Sequence, residues 1–385
     1  MDKSIQKDIN NAVEHFRKML GEQYERNARI AASESVDNAE REKTVIGLVP
    51  GDGIGPVIME ETKAVLTELL ADKIAEGSIE LSDVEGFTLE ERIAKEKTVP
   101  DEVLTQLKQC DVILKGPTTT PNAAMGGPNL ESANVFLRRE LDLFANVRPV
   151  KLPPEGIDWT FFRENTEGEY ALGSKGVKIG NELAVDFKVT TYEGTKRIAR
   201  AAYEFAKNNG KKRVSIVTKA NIMKKTDGDF QSICLDIAKD YPEIQTDTWF
   251  IDIMTANLVN KDIRNQFEVF VLPNLYGDII TDEAAQIQGG VGTAGSANIG
   301  SRYAIFEAIH GSAPRMVEDG IAHLANPASL MTAAVLMLRH IGLEDKAGKL
   351  EKAISMANDK LGAKMTGLPG GTSCHTYATM VRNSL

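Results

Sequence analysis

Three sets of side chains in this 385-residue chain could do chemistry together. Arg138, Arg148 and Arg163 form the first. A guanidinium is a planar fork matched to carboxylates, so three that converged would suit a substrate with several carboxylates. Taken singly, each is as readily a solvated surface charge. Asn134 lies four residues before Arg138, so a helix puts both on one face, and Ser132 is a good cap for that helix. The second set is acidic. Asp278 and Asp282 are one helical turn apart, and carboxylates so placed repel unless a cation sits between them. Mg²⁺ or Mn²⁺ is the hard cation for such oxygens, with Asp252 a third candidate ligand. Alternatively these are acids at a helix start favouring its dipole, which suits Asp278 better than Asp282. The third set is Tyr170 with Lys219. Both titrate near about 10 in water and shift toward proton transfer beside cations, a metal or each other. His310 opens the run His310-Gly311-Ser312-Ala313-Pro314. Its small residues let backbone approach a flat or phosphorylated ligand, although a lone histidine is commonly structural.

These residues need elements to hold them. From Thr44 onward, short β-branched runs precede amphipathic stretches: Val45–Val49 before Ile54–Leu70, Val112–Leu114, Val214–Val217 before Asn221–Ala238, and Val269–Leu272 before Asp278–Gln288. The alternation predicts an α/β protein with a largely parallel sheet. In such sheets chemistry collects beyond the carboxyl ends of strands. Lys115-Gly116-Pro117, Arg163-Glu164-Asn165, Lys219 and Asn274-Leu275-Tyr276-Gly277-Asp278 each fall at such a place. Four polar clusters at four strand ends are a stronger signal than any one of them.

Composition narrows the classes. A length of 385 residues favours two lobes over one. The net charge of −10 argues against nucleic acid or an anionic membrane as partner. No apolar run approaches the roughly 20 residues that span a bilayer. Residues 1–44 hold nine acids and eight bases, unlike a signal or transit peptide, and the three scattered cysteines fit a reducing compartment. A cytoplasmic protein is expected. Ile5, Ile9, Val13, Phe16, Leu20 and Tyr24 form a helical stripe, either packed on its own subunit or forming an oligomer, followed by a polar linker. Gly51-Asp52-Gly53-Ile54-Gly55-Pro56 looks like a dinucleotide fingerprint with Asp72 downstream. Its glycine spacing is wrong, however, and a tight strand-to-helix turn is the favoured reading.

Taken in order, Gly51–Pro56, Lys115–Pro121, Ser132–Arg138, Arg163–Tyr170, Lys219–Lys224, Asn274–Asp282 and His310–Pro314 resemble the isocitrate/isopropylmalate dehydrogenase family. The resemblance runs from about Thr44 to Leu385. It implies a two-lobed α/β fold without a standard Rossmann domain, here with an N-terminal helical extension. Residues 1–43 would be that extension, 44–143 and 290–385 the two parts of a large domain, and 144–289 a small domain with a dimer-forming segment. It also implies a metal-dependent enzyme that oxidises a 2-hydroxy acid with NAD or NADP, releases CO₂ and protonates the resulting enolate. On the matching positions, Arg138, Arg148 and Arg163 would hold substrate carboxylates and Tyr170 would protonate the enolate. Lys219 and Asn221 would reach in from the partner of a homodimer with shared active sites, Lys219 helping remove the hydroxyl proton. Asp278 and Asp282, with the partner's Asp252, would bind Mg²⁺ or Mn²⁺. Lys115 and Thr120 would line the cleft near substrate and nicotinamide. His310, Gly311, Ser312, Ala313 and Asn326 would contact the adenosine.

Polar Ser132 and Asn134 favour isocitrate, since isopropylmalate users place an apolar surface there. Homoisocitrate, isopropylmalate and tartrate remain alternative substrates. Arg315-Met316 after Pro314 matches neither the aspartate of NAD users nor the Lys-Tyr of NADP users. Arg315 could accept a phosphate, whereas the C-terminal tail resembles NAD-type members and Glu318 or Asp319 could turn toward a ribose. NAD is expected, with NADP the alternative. The stretch 123–131 looks longer than in many relatives. A non-catalytic regulatory subunit is disfavoured because Tyr170, Lys219 and all three aspartates are present. A Mg²⁺-dependent phosphate-ester enzyme would leave the arginines and Tyr170 unexplained. An assembly larger than a dimer through residues 1–30 is left open.

Overall fold

The computed structural model describes residues 3–32, 41–121, 130–172, 175–290 and 294–385. The central part of the linker, most of the 123–131 stretch and residues 291–293 lie outside the described residues. In chain order, α1 (Lys3–Ala31) is followed by β1 (Thr44–Val49), α2 (Gly55–Leu69), α3 (Ala71–Ala75), β2 (Ile79–Asp83), α4 (Leu89–Ala94), α5 (Asp101–Gln109), β3 (Val112–Lys115) and α6 (Ala133–Glu140). The middle of the chain holds β4 (Ala145–Leu152), β5 (Ile157–Glu164), the short hairpin β6 (Val177–Ile179) and β7 (Leu183–Val185), α7 (Tyr192–Asn208), β8 (Arg213–Thr218), α8 (Thr226–Ala238), β9 (Gln245–Phe250), α9 (Ile251–Val259), β10 (Val269–Leu272) and α10 (Asn274–Gln288). The last part holds β11 (Gly295–Ile299), β12 (Ala304–Ala308), α11 (Pro314–Glu318), α12 (Ala328–His340), α13 (Glu344–Leu361) and α14 (Cys374–Arg382).

Two compact units form. One comprises residues 1–34 and 144–284, the other 35–143 and 285–385. In the first, strands lie in the order β4-β5-β10-β8-β9, parallel except for β4 against β5. Its core is aromatic: Phe161 and Phe270 stack at 4.4 Å and Trp159 meets both edge-on, with Trp159 Nε1 donating to the Arg264 carbonyl at 3.0 Å. In the second, the order is β2-β1-β3-β12-β11, parallel except for the β11–β12 pair. α12 covers β3, β11 and β12, α13 packs on α12, and α14 packs on α13 and α2. The inner parallel strands are mostly buried apolar runs, as strands covered on both faces should be, whereas the edge strands β2 and β9 are half-exposed and polar.

The structure departs from the sequence reading at several boundaries. The helix carrying Asp278 begins at Asn274, so Asp278 is not at a helix start. The helix expected from Asn221 begins at Thr226, since the chain from Lys219 first closes in turns. Arg148, which follows the strand-like stretch in the sequence reading, lies inside β4. The apolar stripe of α1 is only partly covered within the single chain. Val13, Leu20 and Tyr24 are exposed, Tyr24 by 81%, while Met19 and Ile30 are buried. Polar anchors set the helix's rotation: His15 bonds the Lys175 carbonyl, Glu22 pairs with Lys175, Arg26 with Glu167, and Asn27 accepts from the Glu193 amide. Phe16 alone of the outer stripe finds an aromatic partner, Phe187 at 5.4 Å.

Candidate active site

The antiparallel register of β4 on β5 pairs Asn146 with Arg163 and Arg148 with Phe161. Arg148, early in its strand, therefore stands beside Arg163, near the end of its own. Parallel β10 ends level with β5, Leu272 opposite Arg163, and α10 starts immediately beyond. Arg163 is almost wholly buried. Its Nε and Nη2 donate to Asn274 Oδ1 at 3.0 and 2.6 Å, and Nη1 donates to Asp278. Its guanidinium lies 5.2 Å from the Tyr170 ring centre, and the Tyr170 hydroxyl donates to the other Asp278 oxygen at 2.7 Å. Arg148 lies 3.6 Å from Asp278 and 3.0 Å from Asp282. The cation between the two aspartates is thus a guanidinium, and their spacing alone does not demand a metal. Gly277 is required for this packing: a Cβ there would lie 2.6 Å from Arg163 Cγ.

Lys219 and Asp252 form a separate pair at 2.5 Å at the ends of β8 and β9, where Thr218 lies opposite Phe250. The Lys219 hydrogen bond holds the Asp252 carboxyl below its ordinary range. Tyr170 is engaged with Asp278 and Lys219 with Asp252. Among the described residues of one chain, no three His, Cys, Asp or Glu side chains gather to hold a metal. Asn221 is exposed.

The other unit carries the remaining candidates. The parallel register of β12 on β3 sets Glu307 beside Lys115, giving a buried ion pair of 3.0 Å, with Arg138 at 3.6 Å and Asn298 donating at 2.8 Å. Burial works to raise the Glu307 carboxyl, but Lys115 and Arg138 outweigh it and bring it down to about 2. Asn134 accepts from the Thr118 hydroxyl at 3.1 Å. Ser132 holds the cap position of α6, yet its side chain makes no capping bond. Thr120 is exposed.

The Gly51–Pro56 loop is a tight turn knitted into its own unit. Asp52 and Ile54 amides donate to the Pro117 and Ser312 carbonyls. A Cβ at Gly51 or Gly53 would fall 2.2 or 1.9 Å from those oxygens. The Asp52 carboxylate takes Arg92 at 2.6 Å and the Thr119 amide at 2.7 Å. Asp72 pairs with Lys346 instead of facing the loop. The Thr119 and Ser312 hydroxyls meet at 2.6 Å, tying the 115–120 loop to the 310–313 loop. His310 Nδ1 lies 2.9 Å from the Gly311 carbonyl, while Nε2 is buried with no hydrogen-bond partner among the described residues. Burial pushes the imidazole pKa down, favouring the neutral ring. Ala313 has φ 45°, a left-handed backbone that strains a non-glycine residue. Arg315 is exposed and Asn326 accepts from the Ala328 amide at 3.0 Å. An open depression of about 660 Å³ lies between the 321–324 turn and the 369–373 loop, lined in part by His323, Thr372 and Thr376. None of the arginines, Tyr170 or the paired aspartates lines it.

The residues from 45 to 379 match the family model for isocitrate/isopropylmalate dehydrogenase. The chain belongs to this family. It is 42% identical over 323 residues to the NADP isocitrate dehydrogenase of Rickettsia prowazekii, covering 80% of this chain and 62% of that relative's length. The 3-isopropylmalate dehydrogenase of Archaeoglobus fulgidus is 39% identical, with 88% and 99% covered. A probable mitochondrial NAD isocitrate dehydrogenase subunit alpha of Drosophila melanogaster is 37% identical, with 92% and 90% covered. The crystal structure of isocitrate dehydrogenase from Methylococcus capsulatus superposes with a TM-score of 0.76 at 33% identity, covering 89% of this chain and 99% of that one. The α/β fold of the isocitrate/isopropylmalate dehydrogenases, with a helix at the N-terminus, is thus the fold of this chain.

Sequence reasoning passed over three residues of these networks, and it placed Asn274 at a strand end without foreseeing its contact with Arg163. Glu307 was signalled by a lone carboxylate in the apolar run Ala304–Ala308. Arg92 and Arg26 carried no local signal, because their partners lie far away in sequence.

Proposed function

We propose that the chain is an isocitrate dehydrogenase, oxidising and decarboxylating isocitrate to 2-oxoglutarate and CO₂ with a nicotinamide cofactor. One observation carries the reading: Asp278 is bound at once by Arg163, the Tyr170 hydroxyl and Arg148. Carboxylate-binding cations, a proton donor and a metal-type ligand therefore share one contact network at the carboxyl edge of a parallel sheet. Polar Asn134 and Ser132 favour isocitrate over isopropylmalate, with Arg138 a further carboxylate binder.

Asp278 and Asp282 suit Mg²⁺ or Mn²⁺: both offer hard oxygens from one face of α10, and the Asp282 side chain is 62% exposed. Two protein carboxylates completed by water and substrate oxygens form the usual Mg²⁺ donor set, with Asp252 of a homodimer partner as a third ligand. When bound, the cation supplies Lewis-acid polarisation of the substrate hydroxyl and carboxylate. Arg148 and Arg163, now neutralised by aspartates, would turn to the substrate carboxylates and orient them. The Tyr170 hydroxyl gives its proton to the carbon left after decarboxylation. Lys219 and Asn221 act across the dimer, Lys219 helping to take the hydroxyl proton.

The buried His310 Nε2, without a hydrogen-bond partner among the described residues, fits a nucleotide contact, with Gly311, Ser312 and Ala313 following it, Asn326 further along the chain, and Lys115 and Thr120 assigned to the nicotinamide. Exposed Arg315 would accept a 2′-phosphate, whereas exposed Glu318 and Asp319 would take a ribose hydroxyl. NAD is kept as the expectation. The test is purified chain with isocitrate or isopropylmalate, each with NAD and NADP, with Mg²⁺, Mn²⁺ or a chelator. Isocitrate-dependent reduction that the chelator abolishes is expected. No turnover with either cofactor refutes the reading, and preference for isopropylmalate refutes the role of Ser132 and Asn134.

A further inference from the structure

The geometry points to Arg26, on the N-terminal helix α1, as a positioning residue that fixes Arg163 through Glu167 and Asn274. The role assigned to Arg163 rests on the isocitrate reading above; the relay itself does not. Arg26 forks across two side chains of the loop that joins Arg163 to Tyr170. Its Nη1 donates to Glu167 Oε1 at 2.7 Å and its Nη2 to Thr166 Oγ1 at 2.8 Å. Both ends are sequestered, the Arg26 side chain at 18% and Glu167 at 3% exposure.

Glu167 is gripped from a second side by the first turn of α7, where the Thr191 amide donates at 2.9 Å and the Thr191 hydroxyl also donates. Gly194 leaves no spare room, since a Cβ there would lie 2.2 Å from Glu167 Oε1. So held, Glu167 presents its backbone carbonyl to Asn274 Nδ2 at 3.1 Å. Asn274 Oδ1 is the atom on which Arg163 Nε and Nη2 converge. Three links thus run from α1 to the substrate-facing guanidinium, all within the unit of residues 1–34 and 144–284.

The charge arrangement explains why the outer link matters. Glu164 lies beneath the loop and accepts from the Thr166 amide and hydroxyl at 2.9 and 2.7 Å and from the Glu167 amide at 2.7 Å. Burial and the nearby Glu167 carboxylate push Glu164 up to about 7, against the opposing pull of Thr166 and Arg26. Two buried carboxylates three residues apart repel, and Arg26 is a cation brought to them from outside the loop. Arg197 from α7 reaches the same Thr166 hydroxyl at 3.1 Å, so Arg26 shares the brace without being its whole support.

The test uses the full chain as wild type, Arg26→Ala, Arg26→Lys, and Lys18→Ala as a control on an exposed face of α1. Arg26→Ala is expected to raise the isocitrate KM about tenfold, the scale of one charge-assisted hydrogen bond, with kcat and the nicotinamide KM little changed. Arg26→Lys, which keeps the charge and loses the fork, should recover part of this, and Lys18→Ala should match wild type. Two readouts need no substrate. Amide exchange at Thr166–Gly168 and modification of Arg163 by phenylglyoxal, followed by mass spectrometry, should both quicken in Arg26→Ala. Wild-type KM, exchange and labelling in Arg26→Ala overturn the proposal, as does faster exchange with Arg163 labelling unchanged. If the wild type turns over no isocitrate, the functional reading fails and the Arg163 labelling decides the relay by itself.

Discussion

Replacing Glu307 by Gln should uncover how much the buried ion cluster on β3 and β12 stabilises its unit. The substitution keeps the shape and the Asn298 contact but leaves Lys115, 1% exposed, without its counter-charge. Lowering the Glu307 carboxyl from 4.5 to about 2 corresponds to about 3 kcal/mol of preferential stabilisation of the ionised form. Breaking a buried pair by removing one partner independently suggests about 3–5 kcal/mol. The sign follows from the depressed pKa. The contribution is complete above about 4.5 and is lost as pH falls toward about 2. The gap between wild type and Glu307→Gln should therefore be about 3 kcal/mol at neutral pH and close almost fully near pH 2. Urea titration by far-UV circular dichroism measures it, with amide exchange on β3 and β12 locating the loss. Tryptophan fluorescence would watch the wrong unit, since Trp159 and Trp249 both lie in residues 144–284. A gap below about 1 kcal/mol at neutral pH, or one that does not narrow on acidification, refutes the reasoning.

Three further outcomes follow from the same geometry. Gly277→Ala should displace Arg163, whose Cγ would lie 2.6 Å from the new methyl. A cost of about 1–3 kcal/mol should appear as a raised isocitrate KM with the nicotinamide KM unchanged; an unaltered isocitrate KM contradicts this packing. Tyr170→Phe should retain substrate binding and lower kcat by about 10²–10⁴ if the hydroxyl delivers the proton, and full activity in that variant removes the role. Burial raises the thiols of Cys110 to about 11 and Cys374 to about 12, and Cys234 higher still. Native protein should take up no iodoacetamide at neutral pH in the time that unfolded protein takes three equivalents. Rapid native labelling of any of them contradicts its burial.

The parallel strands and the four polar clusters at their ends were legible because both are local. A run of β-branched residues names its own strand, and strand polarity says where the next side chains must go. The grouping around Asp278 was only half legible. That acids and arginines belonged together could be read, but Arg148 reaches Asp282 through an antiparallel register that no short window contains. For α1 the helix and its apolar face were legible, but not how the helix sits on its own unit, since Arg26, His15 and Asn27 find partners more than 100 residues away. Helix starts at Asn274 and Thr226 were misplaced by four and five residues: α10 takes the polar Asn274 into its first turn directly after Pro273, whereas residues 221–225 close in turns before α8. Glu307 illustrates the reverse case: the sequence prints the anomaly, but only the pairing with Lys115 shows its purpose.

Both units are assembled from stretches widely separated in the chain, which sets a timetable for biosynthesis. β3 finds one neighbour, β1, early, yet its other neighbour, β12, lies about 190 residues downstream. At about 5–20 residues per second, the apolar edge of β3 stays open on the ribosome for roughly 10–40 s. α1 waits comparably for Glu167 and Lys175. Neither unit can close by simple N-to-C order, and contacts so distant fold slowly. Nascent chains halted before Ala304 should therefore be protease-sensitive throughout residues 44–140 and should engage chaperones, whereas release of the complete chain should convert that stretch to protection in one late step.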